Sequence, residues 1–402
     1  MKILFIIFGD LSSNNSKGRA FFNYSLVKYF KKDNNTIKVF CIDADKDSKK
    51  EFNVSTLLKN RLYLLLFKYG YLLRRYFKKW NERKFKEKIF DRFVSKRINP
   101  ENYDIAIVTK PVVPETVEKI SNSKTKIFSF ATIAHPEFNR KVMLNLEKQY
   151  NIKINSNYKD EERSGRVSKN FILSDKIILT VNSPFLRNTY LDNKIPDEKI
   201  IEFNSDVTID TNFFTPSKNK NNNQLTFLTL GYLNLIKGIP LLLEVWEQFK
   251  NKLNDSSKLI IAGPVSYDLK PIIDKYDLRK LNIEMPGKIS RDKIVEVYNS
   301  ADVFISPSYS DLGPETILEA MSCGLPVISS LNCGNSKYIE EGKNGFTYQV
   351  YDKEQLFKHL EWFSGNGDKI KGMGINARAR VERIKNSDFF NDFYKFCLLQ
   401  KN

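Results

Sequence analysis

The residues best suited to chemistry lie in one segment, SPSYSDLGPETILEAMSCGLPVISS, from position 306 to position 330. Pro314 suits the first position of a helix, because a proline has no N–H group to leave unpaired there. The N–H groups of Glu315 and Thr316 would then point out of the helix start, where unpaired donors and a partial positive charge favour an anion. The segment therefore predicts a phosphate site at the start of a short helix.

Two carboxylates flank this predicted site. Asp311 lies just before the helix and can accept hydrogen bonds from hydroxyl groups, and Glu319 lies further along the helix. Gly324 and Pro326 end the helix, and an apolar strand follows. A phosphate site between two acids suits a sugar nucleotide. The alternative is an ordinary amphipathic helix on which Glu319 faces water.

The same segment resembles the donor-binding motif of retaining glycosyltransferases of family 4, which have the GT-B fold. The motif of that family is Glu, seven residues, Glu, and then Ala-Met-x-x-Gly-x-Pro-Val. Here Asp311 and Glu319 form the pair, and AMSCGLPVI follows. The resemblance implies that Glu319 binds the nucleotide ribose and that Asp311, one methylene shorter than the usual Glu, binds the transferred sugar.

A second loop, GYLNLIKGI, begins at Gly231 and leads from a predicted strand into a predicted helix. By residue type alone it is more often an exposed loop than a phosphate site. It is similar to the Gly-Arg-x-x-x-x-Lys-Gly loop with which the family binds the donor pyrophosphate. Lys237 and Gly238 occupy the Lys-Gly positions, whereas Tyr232 stands where the family has Arg. The resemblance implies that phosphate binding depends on Lys237 and the helix amides.

Three further contacts follow from the resemblance. His135 matches a family histidine beside the transferred sugar, although a lone histidine is more often structural. Gly18 ends a polar loop after the first strand. This loop either faces the cleft or forms a surface turn. Gly263, Lys288 and Ile289 lie in turns that meet the nucleobase in the family. The expected donor-binding residues are Gly18, Gly231, Tyr232, Lys237, Gly263, Lys288, Ile289, Asp311, Leu312, Gly313, Glu315, Thr316 and Glu319, and the expected catalytic residues are His135, Lys237 and Asp311.

Strand and helix signals alternate along both halves of the chain, which predicts an α/β fold with two parallel sheets. Residues 54–97 are predicted to be helical, 286–289 to form a turn, and the polar stretch 217–224 to link two domains. The resemblance implies two Rossmann-like domains facing across a cleft. They would span 1–215, which binds the acceptor, and 216–374, which binds the donor, with a helix in 375–402 returning to the first domain.

Composition limits the class of protein. The chain has 402 residues, of which 41% are hydrophobic, and no run of 18 apolar residues predicts a membrane span. MKILFIIFGD is a predicted first strand rather than a signal peptide. Four cysteines and two histidines show no metal-ligand spacing, so we expect no disulfide scaffold, no metal, no cofactor and a cytoplasmic location.

The net charge of +18 predicts an anionic partner. Residues 59–97 hold 14 Lys and Arg against three acids, together with many Leu, Tyr and Phe. Residues 57–80, LLKNRLYLLLFKYGYLLRRYFKKW, form a basic segment that suits the anionic inner face of the plasma membrane. A core helix followed by a solvated basic helix is an equal alternative. Nucleic acid ranks last, because no RNA- or DNA-binding signature is present.

These observations and the resemblance together imply a hexosyltransferase-type enzyme that works with retention of configuration. It would move a sugar from a UDP- or GDP-linked donor to a glycan or lipid-linked acceptor in bacterial cell-surface polysaccharide biosynthesis. Residues 334–346, GNSKYIEEGKNGF, resemble another family segment, but Lys337 stands where that segment has Glu. An inactive glycosyltransferase-like binding subunit is the first alternative, because Tyr232, Asp311 and Lys337 depart from the family pattern. A nucleotide-sugar epimerase or hydrolase on the same fold is the second.

Overall fold

The computed structural model of the chain describes residues 1–13, 19–59, 61–69, 72, 81–154, 157–203, 209–217, 224–253, 256–384 and 388–400. Gly18 and most of the predicted linker lie outside the described residues. The strands are β1 Lys2–Leu11, β2 Thr36–Ala44, β3 Asn53–Thr56, β4 Ile105–Val108, β5 Lys126–Ala131, β6 Lys176–Leu179, β7 Ile200–Glu202, β8 Thr226–Leu230, β9 Lys258–Ala262, β10 Ile283–Gly287, β11 Val303–Ser306, β12 Val327–Ser330 and β13 Gly345–Tyr348.

Helices cover both faces of the two sheets that these strands form. They are α1 Arg19–Phe30, α2 Lys46–Glu51, α3 Arg61–Tyr69, α4 Glu82–Ser95, α5 Pro114–Ser121, α6 Pro136–Gln149, α7 Glu161–Leu173, α8 Pro184–Leu191, α9 Ile239–Leu253, α10 Lys270–Ile273, α11 Ile294–Asn299, α12 Glu315–Ser322, α13 Lys353–Gly365, α14 Gly367–Glu382 and α15 Phe389–Leu399.

The two sheets are parallel throughout, as predicted. The first has the order β3-β2-β1-β4-β5-β6-β7, and the second has the order β10-β9-β8-β11-β12-β13. In each sheet the direction of strand succession reverses once, between β1 and β4 and between β8 and β11. The loops that leave the carboxyl ends of those strands diverge there and leave a crevice, which is where open α/β sheets bind ligands. We call these two places the N-terminal and C-terminal switch points.

Edge strands account for most of the differences from the predicted elements. The beginning of the stretch 54–97 is the strand β3, not helix, and 283–287 forms β10 where only a turn was predicted. β13 was not predicted either, and helix in 267–277 is limited to α10. Short edge strands bury few side chains, so their sequences lack the apolar run that marks a central parallel strand.

The end of the chain returns to the first domain as predicted, but it does so only from Phe389. In α15, Phe389 and Phe393 are buried in the same cluster as Phe30 of α1. Residues 375–382 belong instead to α14, which packs on α12 because Ala377 and Val381 are buried in the second domain. The expected boundary at 375 is therefore too early.

One helix of the first domain also packs on the second. Val142, Met143 and Leu146 of α6 are buried in a cluster together with Leu235 and Ile236, which lie just after β8. The hydroxyl oxygens of Tyr150 and Tyr309 lie 3.3 Å apart across the same contact. This contact holds the two domains together on one side of the cleft.

The loops at the C-terminal switch point approach each other closely at Gly238. Its φ is +73°, and a Cβ atom there would lie 1.8 Å from the carbonyl oxygen of Pro307. The N–H of Tyr309 donates to the carbonyl of Ile236 at 2.8 Å in the same contact. Any residue other than glycine at position 238 would push the loop after β8 away from the loop after β11.

This contact gives a stability prediction. Gly238→Ala is expected to lower the free energy of unfolding by about 3 kcal/mol or more, since a positive φ and a backbone clash both oppose the new methyl group. Gly342→Ala is the matched control, because Gly342 has a φ of +69° and open space around it. Gly342→Ala should lower the free energy of unfolding by only about 1 kcal/mol. Urea unfolding followed by tryptophan fluorescence measures both, and equal losses would contradict the clash.

Candidate active site

The centre of the candidate site is an ion pair across the C-terminal switch point. The ammonium group of Lys237, after β8, pairs with the carboxylate of Asp311, after β11. The side chain of Lys237 is 33% exposed and that of Asp311 is 14% exposed, so the pair lies at the floor of the crevice. Burial alone would lower the pKa of Lys237, but the charge of Asp311 and the hydrogen bond to it outweigh burial and raise that pKa. Lys237 therefore stays cationic.

Local backbone contacts hold both partners in place. The side chain of Asn234 accepts a hydrogen bond from the N–H of Lys237 at 3.1 Å and orders the turn before α9. The N–H of Asp311 donates to Asn332 O, and its carbonyl accepts from the N–H of Gly334, both at 3.0 Å. A Cβ atom at position 334 would lie 1.7 Å from the carbonyl oxygen of Leu312, so this approach requires glycine.

The start of α12 opens into the same crevice. Pro314 is the residue before the first helical position rather than the first helical residue, so the expected register was one residue too early. Glu315 and Thr316 form the first turn, where amide groups have no acceptor within the helix. Asn335 fixes this end, because its side-chain amide donates to the carbonyl of Pro314 at 3.1 Å. A small cavity here is lined by residues that include Gly231, Lys237, Ser306, Asp311 and Thr316.

Glu319 points inward rather than into water. The hydroxyl of Tyr298, on α11, donates to the Glu319 carboxylate at 2.6 Å. Tyr298 is fully buried. Burial and the charge of Glu319 raise the pKa of Tyr298 well above its ordinary value, so the tyrosine keeps its proton and remains a donor. This hydrogen bond orients a half-buried carboxylate at the inner side of the helix start.

The loops after β8, β9 and β10 form a glycine-rich wall beside the ion pair. Gly263 lies so close to Gly231 that a Cβ atom on it would be 1.7 Å from the Gly231 carbonyl oxygen. The N–H of Gly263 donates to the carbonyl of Gly287 at 2.8 Å. Tyr232 is 56% exposed at the rim. This wall can receive a flat ring against bare backbone.

Lys288 and Ile289 follow this wall and face in different directions. The side chain of Lys288 is exposed. The side chain of Ile289 packs on the apolar cluster beneath α12. Only the backbone of Ile289 is therefore available to a ligand in the crevice.

Leu312 and Gly313 lie where the two domains meet. The side chain of Leu312 packs against the core of the first domain. A Cβ atom on Gly313 would lie 3.0 Å from a methyl carbon of Val181, which follows β6. Any larger side chain at position 313 would therefore press the domains apart next to Asp311.

His135 is buried in the first domain, at the start of α6 and the carboxyl edge of the first sheet. It is 2% exposed and lies against the rings of Phe171 and Tyr190. Its Nδ1 atom accepts a hydrogen bond from the N–H of Glu137 at 3.3 Å. Burial lowers the pKa of His135 to about 4, so the ring is neutral near pH 7. It can exchange hydrogen bonds but adds no charge to the cleft.

The structure thus brings Lys237 and Asp311 to the start of α12, and Glu319 lies one turn further along this helix, on the side of Tyr298. Tyr298 and Asn335 complete the site, and sequence reasoning missed both. Tyr298 carries no motif signal, because it is one apolar-face residue of a short helix. Asn335 lies within the segment that resembles the family, but only its contact with Pro314 reveals what it does.

The described ranges of the chain lack two features. They contain no group of three or more His, Cys, Asp or Glu arranged to hold a metal ion. They also contain no helix with the length and apolar character needed to cross a membrane.

Comparison with known proteins gives one family match over part of the chain. Residues 210–380 match the family described as glycosyl transferases group 1. The putative colanic acid biosynthesis glycosyltransferase WcaL of Escherichia coli is 28% identical over 175 residues, which are 42% of this chain and 43% of that protein. The match therefore spans less than half of that relative's length.

Solved structures resemble the whole chain. Sucrose-phosphate synthase from Thermosynechococcus elongatus has a TM-score of 0.64 at 15% identity, with 99% of this chain and 100% of that chain covered. Anabaena Alr3699/HepE in complex with UDP has a TM-score of 0.62 at 15% identity, with the same coverage. The chain therefore has the two-domain GT-B fold that the family resemblance implies.

Proposed function

We propose that this chain, whose residues 210–380 match the glycosyl transferases group 1 family, is a retaining glycosyltransferase that uses a nucleotide-sugar donor. The observation that carries the proposal is the position of Lys237 and Asp311 beside the start of α12, at the C-terminal switch point. A cation and unpaired amides together suit a diphosphate. Carboxylates on both sides suit the hydroxyl groups of a ribose and a sugar.

The donor is proposed to lie along the crevice with its base against the glycine wall. The ribose would reach Glu319, the diphosphate would meet Lys237 and the amides of Glu315 and Thr316, and the sugar would reach Asp311. The structural neighbour HepE is described as a complex with UDP, which supports a UDP-linked donor here. Tyr232 at the rim replaces a second cation, so the phosphates depend on one lysine.

Donor binding must change the ion pair. In the resting site Lys237 neutralises Asp311, and a donor diphosphate is a stronger partner for the ammonium group because it carries more charge. Once Lys237 turns to the phosphates, Asp311 is released to accept hydrogen bonds from the sugar. The same movement supplies the positive charge that the leaving phosphate needs. We therefore expect activity without an added metal ion.

The proposed reaction proceeds on one face of the sugar. The bond between the anomeric carbon and the donor phosphate breaks, and the acceptor oxygen bonds to that carbon from the same side. The departing phosphate oxygen takes the acceptor proton, so no protein base is required. His135, neutral and held by α6, would hydrogen-bond the sugar or the acceptor. The relative WcaL is named for colanic acid biosynthesis, which supports a role in bacterial cell-surface polysaccharide synthesis.

This assignment predicts that Lys237→Ala and Glu319→Ala each abolish sugar transfer while the fold remains intact. The first variant removes the cation for the leaving phosphate, which should lower turnover at least about a hundredfold. The second removes the ribose contact and should weaken donor binding. The assay is release of UDP or GDP from a panel of nucleotide sugars in the presence of EDTA, with circular dichroism to check folding.

Lys280→Ala and Glu296→Ala are the matched controls, because both residues are exposed in the same domain, away from the crevice. They should retain full turnover. Full turnover in the Lys237 and Glu319 variants as well would refute the assigned site. Donor binding with no turnover in the unaltered protein would favour an inactive binding subunit instead.

We also propose that α3 rests on an anionic membrane surface on the cytoplasmic side. Tyr63 and Phe67 of α3 pack on the first domain, whereas Leu65 and Tyr69, on the opposite face, are 54% and 52% exposed. An apolar face exposed in a stretch whose sequence is rich in lysine and arginine is typical of an interfacial helix. The four cysteines are buried free thiols, which supports a reducing compartment.

Flotation with liposomes that contain anionic lipid tests this docking surface. Leu65→Glu should reduce the bound fraction, because a charge replaces an apolar group at the lipid surface. Ile172→Glu is the control, since Ile172 is 58% exposed on α7, away from the basic segment. An equal bound fraction for both variants, or no binding of the unaltered protein at low salt, would exclude membrane docking through α3.

A further inference from the structure

The N-terminal switch point, between β1 and β4, has cationic side chains around it that the proposed donor site does not use. Lys110 is the second residue after β4, and its ammonium group lies 5.5 Å from the centre of the Phe8 ring on β1. Arg19 is the first residue of α1, which follows β1. Both residues therefore lie at the carboxyl edge of the first sheet, where the strand order reverses.

Two arginines from neighbouring helices add to this group around one buried carboxylate. Arg163 of α7 donates to both oxygens of Glu87 at 2.9–3.1 Å, and both side chains are nearly buried. Arg83 of α4 donates to the same carboxylate at 3.1 Å, and its side chain is 42% exposed. One negative charge is thus shared by two cations, which leaves the local charge positive even before Lys110 is counted.

Lys110 lies within the field of all these groups. Burial and the charges of Arg83 and Arg19 lower the pKa of Lys110 to about 8, Arg163 acts in the same direction, and Glu87 acts against them. Among the residues that the structure describes, no carboxylate forms an ion pair with Lys110. Its neighbours therefore raise the free energy of its charged form, and a bound anion would relieve that repulsion.

We infer that Lys110, Arg83 and Arg19 form a second anion site at the N-terminal switch point, which binds a phosphate or diphosphate group. If the proposed transferase function holds, this group belongs to the acceptor, because the site lies in the domain opposite the donor crevice. Lysine supplies a point charge, and the exposed arginine fork of Arg83 suits phosphate oxygens. Arg163 and Glu87 position Arg83 rather than touch the ligand.

The surroundings favour a phosphate that is attached to a lipid. The ammonium group of Lys86, one turn along α4 from Arg83, lies 4.8 Å from the centre of the Phe67 ring on α3. The helix with the exposed apolar face therefore packs beside the helix that carries part of the anion site. A lipid phosphate at Lys110 could extend its chain toward α3, whereas a free phosphate would use only the cations.

Isothermal titration of the full chain, with saturating UDP present to fill the donor crevice, tests this site. The probes are farnesyl diphosphate, farnesol and inorganic pyrophosphate. Farnesyl diphosphate should bind the unaltered protein, and Lys110→Gln and Arg83→Gln should each weaken it roughly tenfold, the effect of losing one charge-assisted contact. Lys124→Gln removes the same charge from an exposed position and should change nothing.

The outcomes distinguish a lipid-linked phosphate from a free phosphate. They also test the second anion site separately from the proposed donor function. If pyrophosphate binds as tightly as farnesyl diphosphate, the protein recognises the phosphates alone. If pyrophosphate binds more weakly, the lipid contributes to the affinity. The second anion site would be overturned if both variants bound farnesyl diphosphate with unchanged affinity. It would also be overturned if farnesol bound the unaltered protein as tightly as farnesyl diphosphate does. Failure of UDP to bind would count against the proposed donor function alone, because the Lys110 titration can be run without it.

Discussion

The ion pair between Lys237 and Asp311 is the interaction on which the candidate site depends. It joins the loop after β8 to the loop after β11 across the reversal in strand order. The pair forms because Gly238 lets one loop approach Pro307 and because Gly334 lets another approach Leu312. Each partner is also the group that a donor would need, so the resting site holds its own charges balanced until a diphosphate competes for the lysine.

Each domain has a lysine at its switch point, but the charged groups around the two lysines differ. At each switch point a lysine follows a central strand at the carboxyl edge of a parallel sheet. In the second domain the lysine is balanced by Asp311, so the site is close to neutral and gains a charge for phosphate only by rearrangement. In the first domain Lys110 has arginine neighbours and a shared glutamate, so the site is positive at rest. The contact of α6 with the second domain keeps the two crevices facing each other.

Sequence reasoning was strongest where the signal is local. Asp311, Glu319 and Lys237 each lie in a short segment whose spacing fixes their relation to a helix start, and the structure pairs Lys237 with Asp311 beside the start of α12. The central strands were predictable because parallel strands are apolar on both faces. The roles of Tyr298 and Lys110 were not predictable, because they depend on partners that are distant in the sequence. The edge strands β3, β10 and β13 were missed because few of their side chains are buried, and the start of α15 was misplaced because both halves of 367–399 have a helical pattern.

A crystal structure of the chain with UDP tests the central claim most directly. The account predicts that the diphosphate lies against the amides of Glu315 and Thr316, that the Lys237 ammonium group has left Asp311 for a phosphate oxygen, and that the ribose hydroxyls meet Glu319. A nucleotide bound elsewhere, or one bound in the crevice while Lys237 remains paired with Asp311, would contradict it.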